Sequence, residues 1–180
     1  MERKAWQGSV FDKSVTLRFK KLGDLGEYLS EMLLESAGFT QIVNLNKKIN
    51  NTQYFDITAK RDGTSYAISV KTRNRMENST AGIKLNTRYK LTDDPILFEK
   101  EARSIYSSTP AWIAIAVDID KNFFNAYFGR LQDLSGNRKG INMTPDATAA
   151  YEVLAERARL TEIGLSSEEL MSLKNKYERR

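Results

Sequence analysis

The chain has no cysteine and no histidine, and only three prolines among 180 residues. Without cysteine there is no disulfide framework, no thiol nucleophile and no thiolate zinc site. Without histidine, Ser-His triads, His-dependent nuclease chemistry and imidazole acid–base work are excluded too. Any catalysis must use carboxylates, lysines, hydroxyls or a metal held by oxygen, and oxygen donors favour magnesium or manganese over softer ions. Long apolar runs are also missing. The longest, Ala111 to Val117, is too short to span a bilayer. The opening residues, Met-Glu-Arg-Lys-Ala-Trp-Gln, lack the apolar stretch of a secretory signal, so a cytoplasmic setting is expected.

What is present suits a globular chain: 41% hydrophobic and 28% charged residues, enough apolar content for a real core. No repeat, linker or low-complexity tract divides it. One domain over residues 1–180 is expected, with residues 1–20 as a possible amino-terminal arm. Charge is unevenly spread. The net charge is +5, and the stretch from Lys71 to Lys90 holds six basic residues against one acid, Glu77, a surplus equal to that of the whole chain. Such a concentration points to a polyanionic partner, with a merely soluble basic loop as the plainer reading.

The most informative stretch is Tyr54 to Arg73. Two alternating runs flank Asp62-Gly63, the dipeptide that best fits a two-residue type I′ hairpin turn. Arg61 then pairs with Thr64, and counting back along that register sets Asp56 across from Ser69. Lys71 becomes its diagonal neighbour on the same face. Phe55, Ile57 and Ala59 on one strand, with Ile68 and Val70 on the other, form the expected core side. A carboxylate and an ammonium thus project together from a sheet whose back is buried. A solvated cross-strand pair, worth a few tenths to about 1 kcal/mol, is the alternative.

Around this hairpin the sequence predicts an ordered series of elements. Ser14 to Phe19 alternates like a strand. Leu22 to Ala37 reads as a helix, with Leu22, Leu25, Leu29, Met32 and Leu33 on one stripe and Gly38 as its stop. Gln41 to Asn50 reads as a strand ending in an Asn50-Asn51 turn, and a polar basic loop runs from Arg75 to Thr92. Asp94-Pro95 starts a helix to Tyr106, with Asp as N-cap and Pro at the first helical position. Ala111 to Asp118 is a central strand and Asn122 to Leu131 its neighbour. Thr144-Pro145 opens a helix to Leu160. A last helix over 167–178 is signalled by a Ser166/Glu169 capping box with Leu165 and Leu170 as a staple. Residues 141–180 therefore read as a carboxy-terminal helical extension.

A first helix bearing Gly26-Glu27, a strand reaching Asp56, then Ser69-Val70-Lys71, then helix and strand, resembles the PD-(D/E)xK nucleases. That superfamily includes restriction endonucleases and archaeal-type Holliday junction resolvases. The likeness spans residues 22–130. It implies a restriction endonuclease-like α/β/α sandwich with a central mixed five-stranded sheet. It also implies a metal-dependent DNA endonuclease acting on duplex or branched DNA as a homodimer. Asp56, Glu27 and the Val70 carbonyl would hold Mg2+ or Mn2+, and Lys71 would act on the attacking water. Arg73, Arg75, Lys84, Arg88 and Lys90 would contact phosphates. Two positions depart from the pattern. Phe55 replaces the usual proline, and Ser69 replaces the acid two residues before the lysine. Ser69 could hold a metal-bound water, with a displaced carboxylate supplied by Glu99 or Glu101, or less readily by Glu77.

Glu27 has a plainer reading as one of a series with Glu31 and Glu35 on an exposed helix face, roughly opposite the leucine stripe. Two rival functions remain. One is an RNase H-like nuclease using Asp56, Glu99 or Glu101, and Asp118, although Asp118 and Asp120 also read as a plain turn. The other is a nucleic-acid-binding module on the same fold without catalysis, which Ser69 favours.

Overall fold

The computed structural model describes residues 15–47 and 53–164, together with residues 166, 168 and 171. Residues 1–14, the Asn50-Asn51 turn and most of the helix expected at 167–178 lie outside the described residues. No helix among the described residues is long and apolar enough to cross a membrane.

Helix α1 (Val15–Ser36) begins before the expected start, so part of the alternating stretch read as a strand is helical instead. Leu22, Leu25, Leu29 and Leu34 are buried, while Met32 and Leu33 are only partly covered. Its end is a Schellman cap. Gly38 takes the left-handed conformation at φ 81°, its N–H donates to the Glu35 carbonyl, and the Phe39 N–H reaches back to Leu34 at 3.0 Å.

The chain then enters β1 (Thr40–Asn44), shorter than predicted, and the hairpin of β2 (Ile57–Arg61) and β3 (Thr64–Asn74). The hairpin register is the expected one, running from Arg61↔Thr64 to Ile57↔Ile68. Asp62 and Gly63 both have positive φ, as a type I′ turn requires.

The segment expected to be a basic loop is ordered. It forms a second hairpin, β4 (Met76–Ser79) with β5 (Gly82–Leu85), followed by β6 (Arg88–Lys90). Helix α2 (Pro95–Tyr106) starts as predicted: the Asp94 carboxylate accepts from the Ile96 and Leu97 N–H groups, each at 3.0 Å.

Strand β7 (Thr109–Asp118) is buried nearly throughout, and β8 (Phe123–Arg130) lies antiparallel beside it. The short β9 (Gly140–Asn142) pairs with β6. Beyond it the sequence reading fails. The helix expected from Thr144 to Leu160 is one turn, α3 (Pro145–Thr148), followed by β10 (Glu152–Arg159). The Glu-Val-Leu-Ala-Glu-Arg-Ala-Arg run favours helix locally, but β8 offers an unpaired edge, and pairing with it satisfies both backbones. The fit is irregular: the register shifts twice, and Arg157 is forced to φ 48°.

The result is an α/β fold around a central mixed sheet of six strands, one more than expected, ordered β1-β2-β3-β7-β8-β10. Only β3 and β7 run parallel among these neighbours. Side chains of β7 divide by period two. Ala111, Ile113, Ile115 and Val117 join α1 in one core, whereas Trp112, Ala114 and Ala116 join α2 in the other. At the turn end of β2, Arg61 lies 4.1 Å from the Phe39 ring centroid and pairs with Glu152 of β10, reaching across the α1 face.

One close approach positions the helix. A Cβ on Gly26 would run into Thr72 Oγ1 and lie 2.8 Å from Thr72 Cβ, so only glycine lets α1 rest directly on β3. Gly26→Ala should lower thermal stability by an amount typical of overpacking, about 1–3 kcal/mol. Adding Thr72→Gly should recover part of that loss. Wild-type melting of the single variant would mean the helix does not sit this close.

Candidate active site

Asp56 lies where β2 leaves β3. The paired ladder ends at Ile57↔Ile68, yet the Asp56 N–H still donates to the Ile68 carbonyl at 2.9 Å. Its own carbonyl accepts from Leu45 N–H at 2.8 Å. Phe55 was expected beside Ile57 on one face. Instead the chain turns there, and Phe55 packs on the α2 side, 4.5 Å from the Phe98 ring. With the strand diverging, the Asp56 side chain takes the place of a backbone acceptor: Val70 N–H donates to Asp56 Oδ2 at 2.7 Å. Because the N–H and C=O of an extended residue point to the same edge, the Val70 carbonyl faces this opening as well.

Glu27 reaches the same place from α1. Asn46 Nδ2 donates to Glu27 Oε1 at 2.8 Å and to Asp56 Oδ1 at 3.1 Å, so one amide bridges the two carboxylates. Asn44 Nδ2 donates to Glu27 Oε2 at 3.0 Å and to Glu31 Oε1 at 2.9 Å. Burial raises the Glu27 pKa above its ordinary value; the two amides oppose the rise and the Asp56 charge adds to it. Glu27 is thus half-buried on the sheet side of α1 rather than exposed. Gly26 explains this, since the missing side chain lets the middle of α1 approach β3.

Lys71 lies on the α2 side of β3, on the alternation that carries Ala67 into that core. It is half-buried, and burial lowers its pKa, the Asp56 charge opposing and Arg73 adding to the shift. Among the described residues it has no acid within ion-pair distance. Ser69 is fully buried with its hydroxyl unpartnered among the described residues.

Two of the three candidate displaced acids are engaged elsewhere. Glu99 pairs with Arg103 at 3.0 Å and Arg138 at 3.6 Å, and Glu77 with Lys84 at 3.3 Å. No hydrogen bond among the described residues links Glu101 to Asp56 or Glu27. The extra carboxylate that does approach is Glu31, one helical turn past Glu27 and held by Asn44 and Lys47. Asp118 belongs to a turn, accepting from Lys121 N–H at 3.2 Å and lying 3.5 Å from Arg75.

The basic residues divide in the same way. Arg75 is paired with Asp118, Lys84 with Glu77, and Lys90 with Asp93. Arg73 is half-buried and donates to the Thr72 carbonyl at 2.8 Å. Arg88 is exposed, with no ion pair among the described residues.

Asn44 and Asn46 are the residues that sequence reasoning missed. Their signal was available: they alternate with Val43 and Leu45, which lie on the α2 side, so both amides fall on the α1 face after Ile42. Two amides on a covered face need partners, and the carboxylates of α1 supply them.

The donors here suit a hard divalent cation. Among the described residues no group of three acids forms a ready cage, but magnesium is commonly held by one or two carboxylates with water and substrate oxygens. Two carboxylates share one amide beside a carbonyl-bearing strand edge, and the buried Ser69 hydroxyl of the same strand has no partner among the described residues. That set fits Mg2+ or Mn2+.

No known family profile matches the chain, and no curated protein matches it. Among solved structures, the chain is similar to Hjc, a Holliday junction resolvase from Archaeoglobus fulgidus, at 15% identity and a TM-score of 0.49. The match covers 78% of this chain and 98% of that one.

The raised Glu27 pKa sets the sign of a pH effect. Below the ordinary carboxylate range both folded and unfolded chains hold the proton, so the group is neutral to stability. As pH rises, the unfolded chain releases it first, and the folded state loses stability until Glu27 has also ionised. In chelator-treated protein, the melting temperature of Glu27→Gln relative to wild type should therefore climb from acid to neutral pH. A flat difference would contradict the assigned environment.

Proposed function

We propose that this chain is a divalent-metal-dependent DNA endonuclease whose site is built from Glu27, Asp56, Val70 and Lys71. One observation carries the reading: carboxylates from α1 and from the end of β2 meet on the Asn46 amide beside a half-buried lysine that has no acid within ion-pair distance among the described residues. A structural ion pair would satisfy its cation. This arrangement leaves negative charge on one side and a partly desolvated ammonium on the other, as phosphodiester hydrolysis requires.

Asp56, Glu27 and the Val70 carbonyl would hold the cation. When bound, it would supply charge neutralisation at the scissile phosphate and acidify water. Asn46 keeps both carboxylates oriented, and the Val70 N–H fixes Asp56 against the strand. Lys71, with its lowered pKa, can take a proton from the attacking water in its neutral form or offset charge on the phosphate in its cationic form. Water adds to phosphorus, the ester P–O bond breaks, and the products are a phosphomonoester and a free hydroxyl. Arg88, which has no ion pair among the described residues, would carry much of the phosphate contact together with Arg73, with salt-sensitive affinity. Cutting both strands of a duplex or junction needs two such sites, so pairs of chains on DNA are expected. Sedimentation as a monomer on DNA would count against this.

Ser69 supports a second reading, a DNA-binding module without catalysis, because the family pattern places an acid there. Plasmid, single-stranded and four-way-junction DNA, each with and without magnesium or manganese, separate the two. Lys71→Ala and Asp56→Ala should each reduce metal-dependent cleavage at least 100-fold and change DNA affinity by less than about threefold, the loss typical of removing a catalytic acid–base or charge-stabilising group. Cleavage at the wild-type rate in either variant would remove this site from the mechanism. Salt-dependent binding with no cleavage by wild type would select the module.

A further inference from the structure

On the α2 side of the sheet, the β6–β9 ribbon and the residues after β8 enclose a half-open cavity of about 460 Å³. Its volume falls in the range of small-ligand sites. Thr87, Arg88, Ser135, Asn137, Asn142 and Tyr151 carry its polar lining.

The chemistry of that lining is one-sided. Arg88 is exposed, has no ion pair among the described residues, and can only donate. The Asn137 side-chain oxygen accepts from Lys139 N–H and the Asn142 oxygen from Thr144 N–H, each at 3.1 Å. Both amides therefore have their oxygens engaged in their own turns and leave NH2 donors for a ligand. Thr87 and Ser135 add hydroxyls. No Asp or Glu lines the cavity. A guanidinium, two amide donors and two hydroxyls without a carboxylate make a receptor for an anion, and phosphate matches the guanidinium fork best.

Tyr151 adds a second element. Its ring packs edge-on against Trp112 at 4.8 Å and lies 6.4 Å from the Tyr127 ring, so it is held in place rather than free to rotate away. Gly140 serves Arg88: a Cβ there would lie 3.2 Å from Arg88 Nε and 3.1 Å from the Tyr89 carbonyl, so a larger residue would push the guanidinium aside.

We propose that this cavity binds a nucleotide, its phosphate held by Arg88 with the Asn137 and Asn142 amides and its base lying against Tyr151. The ligand chemistry is a phosphate ester bearing a planar base, and it has two possible sources, a free mononucleotide or a nucleotide within a DNA strand. The second source rests on the endonuclease reading: β6, which carries Arg88, packs on β3, the strand that carries Lys71.

Calorimetric titration of the full-length Asp56→Ala chain, without divalent cation, tests the proposal independently of cleavage. The probes are inorganic phosphate, thymidine 5′-monophosphate and a single-stranded deoxyoligonucleotide. Thymidine monophosphate binding at least tenfold tighter than phosphate, and weakened at least tenfold by both Arg88→Gln and Tyr151→Ala, supports a free-nucleotide site. No mononucleotide binding, but tenfold weaker oligonucleotide binding in both variants, supports a site for one nucleotide of a strand. Gly140→Ala should weaken the same ligand. Arg88→Gln alters an exposed side chain, and an unchanged melting temperature shows that it folds. Unaltered affinity for all three probes in Arg88→Gln and Tyr151→Ala, or no binding of any probe, overturns the proposal. Nucleotide binding by a wild-type chain that cuts no DNA would overturn the endonuclease reading alone.

Discussion

The hydrogen bond from the Val70 N–H to the Asp56 carboxylate is the contact around which the candidate site is arranged. It arises because β2 stops one residue short of Asp56 while β3 continues to Asn74 along β7. A central strand rarely has an unpaired flank, since each exposed N–H and C=O would need another partner. Here a side chain supplies the partner. The Val70 carbonyl is left facing outward, and the carboxylate is anchored by its second oxygen. The geometry thus converts a defect in the ladder into a fixed set of oxygen atoms.

Glu27 and Lys71 approach this gap from opposite layers. The helix side contributes an acid because Gly26 permits contact with Thr72, and the asparagines of β1 tie that acid to Asp56. The α2 side contributes a lysine whose pKa burial lowers, with the Asp56 charge opposing. Among the described residues no carboxylate lies within ion-pair distance of the Lys71 ammonium, although the Asp56 charge acts on it. That separation distinguishes the arrangement from an ordinary surface salt bridge.

Much of this was legible in the residues. Asp62-Gly63 set the hairpin register, because the dipeptide suits a type I′ turn, whose positive φ at both positions matches the twist of the flanking strands. Asp94-Pro95 set the start of α2, and the unbroken apolar run of β7 announced a strand covered on both faces. Failures came where the partner decided the outcome. Residues 152–159 favour helix by composition, and only the open edge of β8, which no local window contains, makes them a strand. Phe55 was assigned to the wrong face because alternation was carried past the point where the ladder ends. The roles of Asn44, Asn46 and Glu31 depend on how α1 lies on β1, a tertiary fact; the alternation hinted at it and spacing alone could not fix it. Glu99, proposed from α2, is instead paired with Arg103 and Arg138, the second of which no local spacing announces.

The stacked Arg61, held by Phe39 and Phe128 and clamped by Glu152, lies at the far end of the hairpin from Asp56. The two ends of the sheet are therefore unequal. One is laced shut from β2 to β10, like the bound spine of a book, and the other fans apart at the divergence of β2 and β3. Opening the laced margin would break aromatic, cationic and carboxylate contacts together.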